Sequence, residues 1–149
     1  MDLEDICDAL ADLYAPGTIG TPTGATAMRA SYGQAPNSVP MTPCVVVMPD
    51  TGTLIYGSGE RKSEHDIKVQ FYHSKRQGDI PRSETERQRW LPTLLNAVHG
   101  SVKLGLSSYV DKALPTDYSF VEFTYSGDTY DGILINYRVW VTETVTLTP

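Results

Sequence analysis

The stretch "TYDGILINYRVWVTETVT", Thr129–Thr146, decides how the rest of the chain folds. Ile133, Ile135, Tyr137, Val139 and Val141 fall on alternate residues, the period of a strand with one buried face. Leu134 and Trp140 share the opposite face with Asn136 and Arg138. The run far exceeds the mean strand of about five to six residues. Large groups on both faces ask for more cover than one layer of helices supplies. Gly132, close to its start, marks a bulge or bend.

Reading back from it, "SGD" at Ser126–Asp128 is turn chemistry that pairs this strand with "YSFVEFTY", Tyr118–Tyr125. Val110–Leu114 reads as a separate strand stopped by Pro115. "SEHDIKVQFYHSK", Ser63–Lys75, repeats the period of two: Ile67, Val69 and Phe71 alternate with Asp66, Lys68, Gln70 and Tyr72. Upstream, "CVVVM" at Cys44–Met48 is a buried-type strand, "PDTG" at Pro49–Gly52 is a turn, and Thr53–Tyr56 is the return strand of a hairpin. A short strand is expected around Ala25–Ser31.

Two helices complete the pattern. Leu3, Ile6, Cys7, Leu10, Leu13 and Tyr14 recur at helical spacing, with acids on the other face, and "APG" at Ala15–Gly17 stops the run. Asp2, Glu4 and Asp5 suit the positive end of its dipole. In the second helix, Ser83 and Glu86 form an S-x-x-E capping box, with Pro81 just upstream. Trp90, Leu91, Leu94, Leu95 and Val98 make its buried stripe, and Gly100 caps its end. Pro92 is expected to kink or split it. Glu84, Glu86, Arg87 and Arg89 read as a solvated, salt-bridged face.

The 149 residues, 40% hydrophobic and 20% charged, suit one globular domain over 1–149, with loop segments at 17–24 and 32–43. "YGQAPNSVPMTP", in the second loop, has the proline density of a functional or mobile connection. The net charge of −6 argues against wrapping nucleic acid, but an acidic wall lets a polyanion pass without sticking. No apolar run reaches the length of a membrane span and no signal-peptide pattern opens the chain, so the expectation is a soluble cytoplasmic product. Cys7 and Cys44 lack metal or redox spacing and read as buried reduced thiols.

Catalytic readings fail on geometry. His65 and His73 share a face but stand eight strand steps apart, roughly 26 Å, far beyond the reach of one metal ion. "GSGERKS", Gly57–Ser63, lacks the glycine-lysine pair and following helix of a phosphate loop and reads as a flexible, charged hairpin loop. Asp128–Asp131 lies in a turn that selects aspartate for local backbone bonding, without calcium-loop spacing. His99, at a helix end, is structural. No catalytic residue, cofactor or metal is expected, and the chain is read as a non-enzyme.

The order of elements, with "ALP" at Ala113–Pro115, "TYSGDTYDG" at Thr124–Gly132 and the long closing strand, resembles the tail-terminator family of long-tailed bacteriophages. The resemblance implies an α+β fold: a mostly antiparallel sheet with long C-terminal strands and two main helices packed on one side. It implies a hexameric ring in the virion neck, made in the host cytoplasm, that caps the tail tube at its head-proximal end and joins it to the head–tail connector. DNA then passes through the lumen without specific binding. Related neck components, the stopper and adaptor, share the architecture; a small metal-dependent enzyme is the rival from another class.

Nine tyrosines and two tryptophans suit interfaces. The expected contacts are Tyr32, Gln34, Asn37 and Met41 from the proline-rich loop, and Glu60, Arg61 and Lys62 from the charged loop. Tyr137, Arg138 and Trp140 of the closing strand are expected at the subunit seam. The Thr-rich end, "VTETVTLTP", is a candidate for addition to a neighbour's sheet, limited by Pro149.

Overall fold

The computed structural model describes residues 1–39, 41–76 and 80–148. Pro149 and Pro40 lie outside them, and the side chain of Pro81 is not described. Helix α1 (Leu3–Leu13) is followed by β1 (Ala30–Tyr32), β2 (Cys44–Gly57), β3 (Glu60–Lys75), α2 (Ile80–Asn96), β4 (Val110–Tyr125) and β5 (Asp128–Thr144). The strands form one sheet in the order β1-β2-β3-β5-β4. Among the described residues, only the short β1–β2 pair is parallel. The fold is α+β, as expected.

Both helices pack on one face of the sheet. Ile6, Leu10 and Tyr14 from α1 and Trp90 and Leu94 from α2 meet Val45, Val69, Ile135 and Val139 in one core. Burying each such side chain stabilises the fold by about 1.5–3 kcal/mol. The Tyr14 and Tyr137 hydroxyls, 2.5 Å apart, share a hydrogen bond in that core, and the Tyr14 hydroxyl lies 3.2 Å from the Leu94 carbonyl. Asp2 caps α1 by accepting from the Glu4 amide at 2.9 Å. Cys7 and Cys44 are free and buried, and burial pushes their thiols up to about 11 and about 12.

Six local expectations are corrected. "PDTG" is not a hairpin turn: β2 runs through it with a bulge between Pro49 and Gly52, and the chain reverses at Ser58–Gly59, where Gly59 takes φ 71°. Asp50 and Thr51 become the bulge because β3 offers a partner strand beyond them. Pro115 does not end a strand either; β4 continues through a bulge there. An edge position needs no inward amide from the proline, and the Thr116 hydroxyl donates to the Asn136 carbonyl at 3.1 Å instead.

Ser83 is not the N-cap of α2, which begins at Ile80; its hydroxyl turns to Asp131. Glu86 and Arg87 are not part of a solvated face: Arg87 is buried and donates to the Gly132 carbonyl at 3.1 Å. Pro92 does not split α2. It sits with Gln88 on the exposed side, where the carbonyl left without an amide partner meets water. The strand expected around Ala25–Ser31 is confined to Ala30–Tyr32.

Candidate functional site

The sheet is far longer than the helices that cover it. The 16 residues of β3 extend about 50 Å at roughly 3.3 Å per residue. At one end, the outer half of β2 and the start of β3 form an arm. Every residue of β2 from Pro49 to Gly57 is exposed, including Leu54 at 51%, Ile55 at 58% and Tyr56 at 53%. The base of the arm is tied down by charge. Arg61 Nη2 meets Glu143 Oε1 at 2.8 Å, and the Met1 ammonium meets Glu143 Oε2 at 2.5 Å. Hydrogen bonds from Arg61 and the ammonium hold the Glu143 carboxyl below its usual range.

His65 lies beside this base, buried, with Nε2 2.9 Å from the Ser63 hydroxyl. Burial lowers its pKa. Gly52 lies opposite it, where a Cβ would stand 3.0 Å from His65 Nδ1 and press the ring aside.

At the other end, the proline-rich loop packs against the β4–β5 turn, whose Ser126 and Gly127 both take positive φ. The Tyr125 hydroxyl donates to the Pro36 carbonyl, and the Ser126 hydroxyl donates to the Asn37 carbonyl at 3.1 Å. Beneath the loop is a second apolar cluster, Cys44, Val46, Tyr72 and Tyr130, on the face away from the helices. The Tyr72 ring centroid lies 4.6 Å from that of Phe123. Gly132 makes room for this stack: a Cβ there would come within 2.5 Å of the Phe123 ring and closer still to the Phe71 carbonyl.

Between the two ends, the face away from the helices carries a charged ladder. Arg138 pairs with Asp66 at 3.2 Å and approaches Glu64 at 4.0 Å. Lys112 sits over the Trp140 ring at 4.5 Å.

A buried polar cluster under α2 was not legible in the sequence. His73 is the extra residue of a β3 bulge opposite Asp131 and Gly132. Its Nε2 lies 2.7 Å from Glu86 Oε2, and its Nδ1 is 2.9 Å from the Ser74 hydroxyl and 3.4 Å from that of Ser83. Burial would raise the Glu86 pKa, but hydrogen bonds from Arg82 and His73 leave it lowered. Serine, histidine and carboxylate thus come together without the order of a nucleophilic triad. Ser83 is buried, and its hydroxyl donates a hydrogen bond to Asp131 Oδ2 at 3.0 Å. It therefore acts as a clasp fastening α2 to the bulge. The S-x-x-E spacing was the visible signal, read as a cap instead of a tertiary tie.

The expected contact residues divide by position. Gln34, Asn37 and Met41 are exposed at the loop end, while Tyr32 is half-buried against the second cluster. Glu60 and Lys62 are exposed at the arm end, and Arg61 is held by Glu143. Arg138 and Trp140 are half-buried on the charged face. Tyr137 must leave the set: it is fully buried against Tyr14 and has no surface to offer. β5 is also an interior strand, between β3 and β4, so its backbone cannot make a seam. The Thr-rich end leaves the sheet after Thr144, and the Val145 amide bonds to the Gly59 carbonyl at 3.1 Å.

Asp2, Glu4 and Asp5 are exposed at the start of α1. His65 and His73 sit toward opposite ends of β3, and His99 is exposed in the turn after α2. Among the described residues, no group of three or more His, Cys, Asp or Glu is placed to hold a metal ion, and no helix is long and apolar enough to cross a membrane. No protein-family model and no curated protein matches the chain.

Proposed function

We propose that this chain is a structural subunit of a long-tailed phage neck. Six copies form a ring that caps the tail tube at its head-proximal end and receives the head–tail connector. The observation that carries the reading is the separation of its exposed loops. The turn at Ser58–Gly59, with the charged start of β3 at Glu60–Lys62 (strand, not the loop expected from the sequence), and the proline-rich loop at 33–39 lie at opposite ends of a sheet about 50 Å long. A subunit with one contact set at each end is suited to sit between two stacked partners. The net charge of −6 per copy, multiplied around a ring, lets DNA pass through the lumen without adhering.

Imaging of virions with the chain labelled tests this directly: density at the head-proximal end of the tube is expected. A neck containing none of this polypeptide overturns the reading. Deleting the gene separates a cap from a stopper or adaptor. Loss of a cap leaves tubes free to overgrow, whereas loss of a head-side component leaves finished tails beside unjoined heads.

A further inference from the structure

The sheet has two lateral edges, and both are built to be covered. β2 is flanked by β1 only at Cys44–Val46, so its outer edge from Val47 to Gly57 pairs with no described strand. β4 forms the opposite edge over its whole 16 residues. Natural sheets blunt such edges with lysines, prolines or bulges. Here each edge spends its proline and bulge early, at Pro49 and Pro115, and then runs on unprotected. Thr51–Gly57, "TGTLIYG", carries no charge, and Tyr118–Tyr125, "YSFVEFTY", carries only Glu122.

Strand sense makes the two edges complementary. Successive antiparallel pairs from β2 through β3 and β5 to β4 leave β2 and β4 pointing in opposite directions. A second copy with the same orientation therefore brings its β2 antiparallel to the first copy's β4. Across the sheet Leu54 is level with Val110 and Tyr118 with Val47, so Leu54 and Tyr56 come opposite Phe120 and Tyr118 when that copy is slid along the strands by eight residues, about 26 Å. The side chains agree as well. Leu54 is paired with Ser63 and Tyr56 with Arg61, which places both on the helix face of the sheet. Tyr118 and Phe120, paired with Ile135 and Ile133, lie on that same face at the other edge, 49% and 43% exposed.

We propose that the partner of each edge is the other edge of a second copy: β2 of one chain adds to β4 of the next, and one sheet continues from copy to copy. Main-chain hydrogen bonds supply the ladder, and Leu54 and Tyr56 of one copy continue the apolar surface of Tyr118 and Phe120 of the next. Because the joined surfaces differ, the contact is head-to-tail; with that slide it closes into a ring when the strands tilt to the ring axis, as in a staggered barrel. This deepens the neck-ring reading and rests on it; the seam belongs to β2 and β4, not to the closing strand.

Sedimentation velocity over a concentration series, repeated with purified tail tubes of the encoding phage, tests the pairing. One full-length variant carries Leu54→Asp and Ile55→Asp; the other carries Tyr118→Asp and Phe120→Asp. All four side chains are exposed, and an unchanged circular-dichroism melt verifies the fold of each variant. Each variant alone is expected to lose self-association roughly 100-fold or more. Their equimolar mixture is expected to give a one-to-one dimer and nothing larger, since one intact edge of each kind remains. Dimers or rings from either variant alone, with the wild type assembling, overturn the edge pairing and leave the ring reading standing. A wild type that stays monomeric both alone and on tubes overturns both.

Discussion

β2 is two different strands joined at a bulge. Cys44–Val47 is fully buried, with Val45 and Val47 under the helices and Cys44 and Val46 under the proline-rich loop. From Pro49 to Gly57 every residue is exposed. Both halves carry branched and aromatic residues of high strand propensity, so propensity does not separate them. Cover does. The first half holds the fold together; the second is held by β3 alone and leaves its apolar groups exposed.

The difference is broken or sharpened most strongly in the buried half. Phe71, the partner of Val45, is fully buried with its ring centroid 5.2 Å from that of Trp90. Phe71→Ala is expected to cost about 3–5 kcal/mol in urea unfolding. A loss as small as that of an arm variant would erase the contrast between the halves. Gly132→Ala comes next, at about 1–3 kcal/mol, because the Phe71 carbonyl facing the new Cβ is backbone and cannot turn aside. Ser83→Ala removes a buried donor from Asp131, and a loss of about 1–3 kcal/mol is expected in the same assay. A neutral result would mean that the clasp does not hold α2.

The pH dependence joins the two regions. His65 has its pKa lowered by burial, so the unfolded chain takes up that proton first. Its contribution is complete above the ordinary value of 6.5 and declines as pH falls below it. Glu86 and Glu143 have lowered pKa values, so their contributions are present above 4.5 and are lost as pH falls through their folded pKa values. Thermal melts from pH 7 downward are expected to fall in two stages, and His65→Gln is expected to remove only the upper one. The smallest effect belongs to the arm: Ile55→Ala is expected to stay within about 0.5 kcal/mol of the wild type in urea unfolding. A larger loss would mean that the arm is part of the core after all.

Long regular patterns were legible without coordinates. The alternation from Ile133 to Val141 and from Ile67 to Phe71, and the helical stripe from Leu3 to Tyr14, all stand where they were read. Proline and turn signals misled at Pro49–Gly52 and Pro115. A residue that would stop an isolated strand is accepted as a bulge when a neighbouring strand continues past it. Of the expected contact residues, Gln34, Asn37, Met41, Glu60 and Lys62 are exposed, but Tyr137 is buried: the same alternating period describes a core strand and a seam strand.

By itself the sequence determined the periods of its strands and helices, the acidic charge and the reduced character of its two thiols. Those follow from side-chain spacing and composition, which are local properties. Only the tertiary structure decided which strands became edges, that His73, Ser83, Glu86 and Asp131 would meet, and that half of β2 would stand uncovered. Strand order and burial depend on contacts between residues far apart in the chain, and no local pattern encodes which partner arrives.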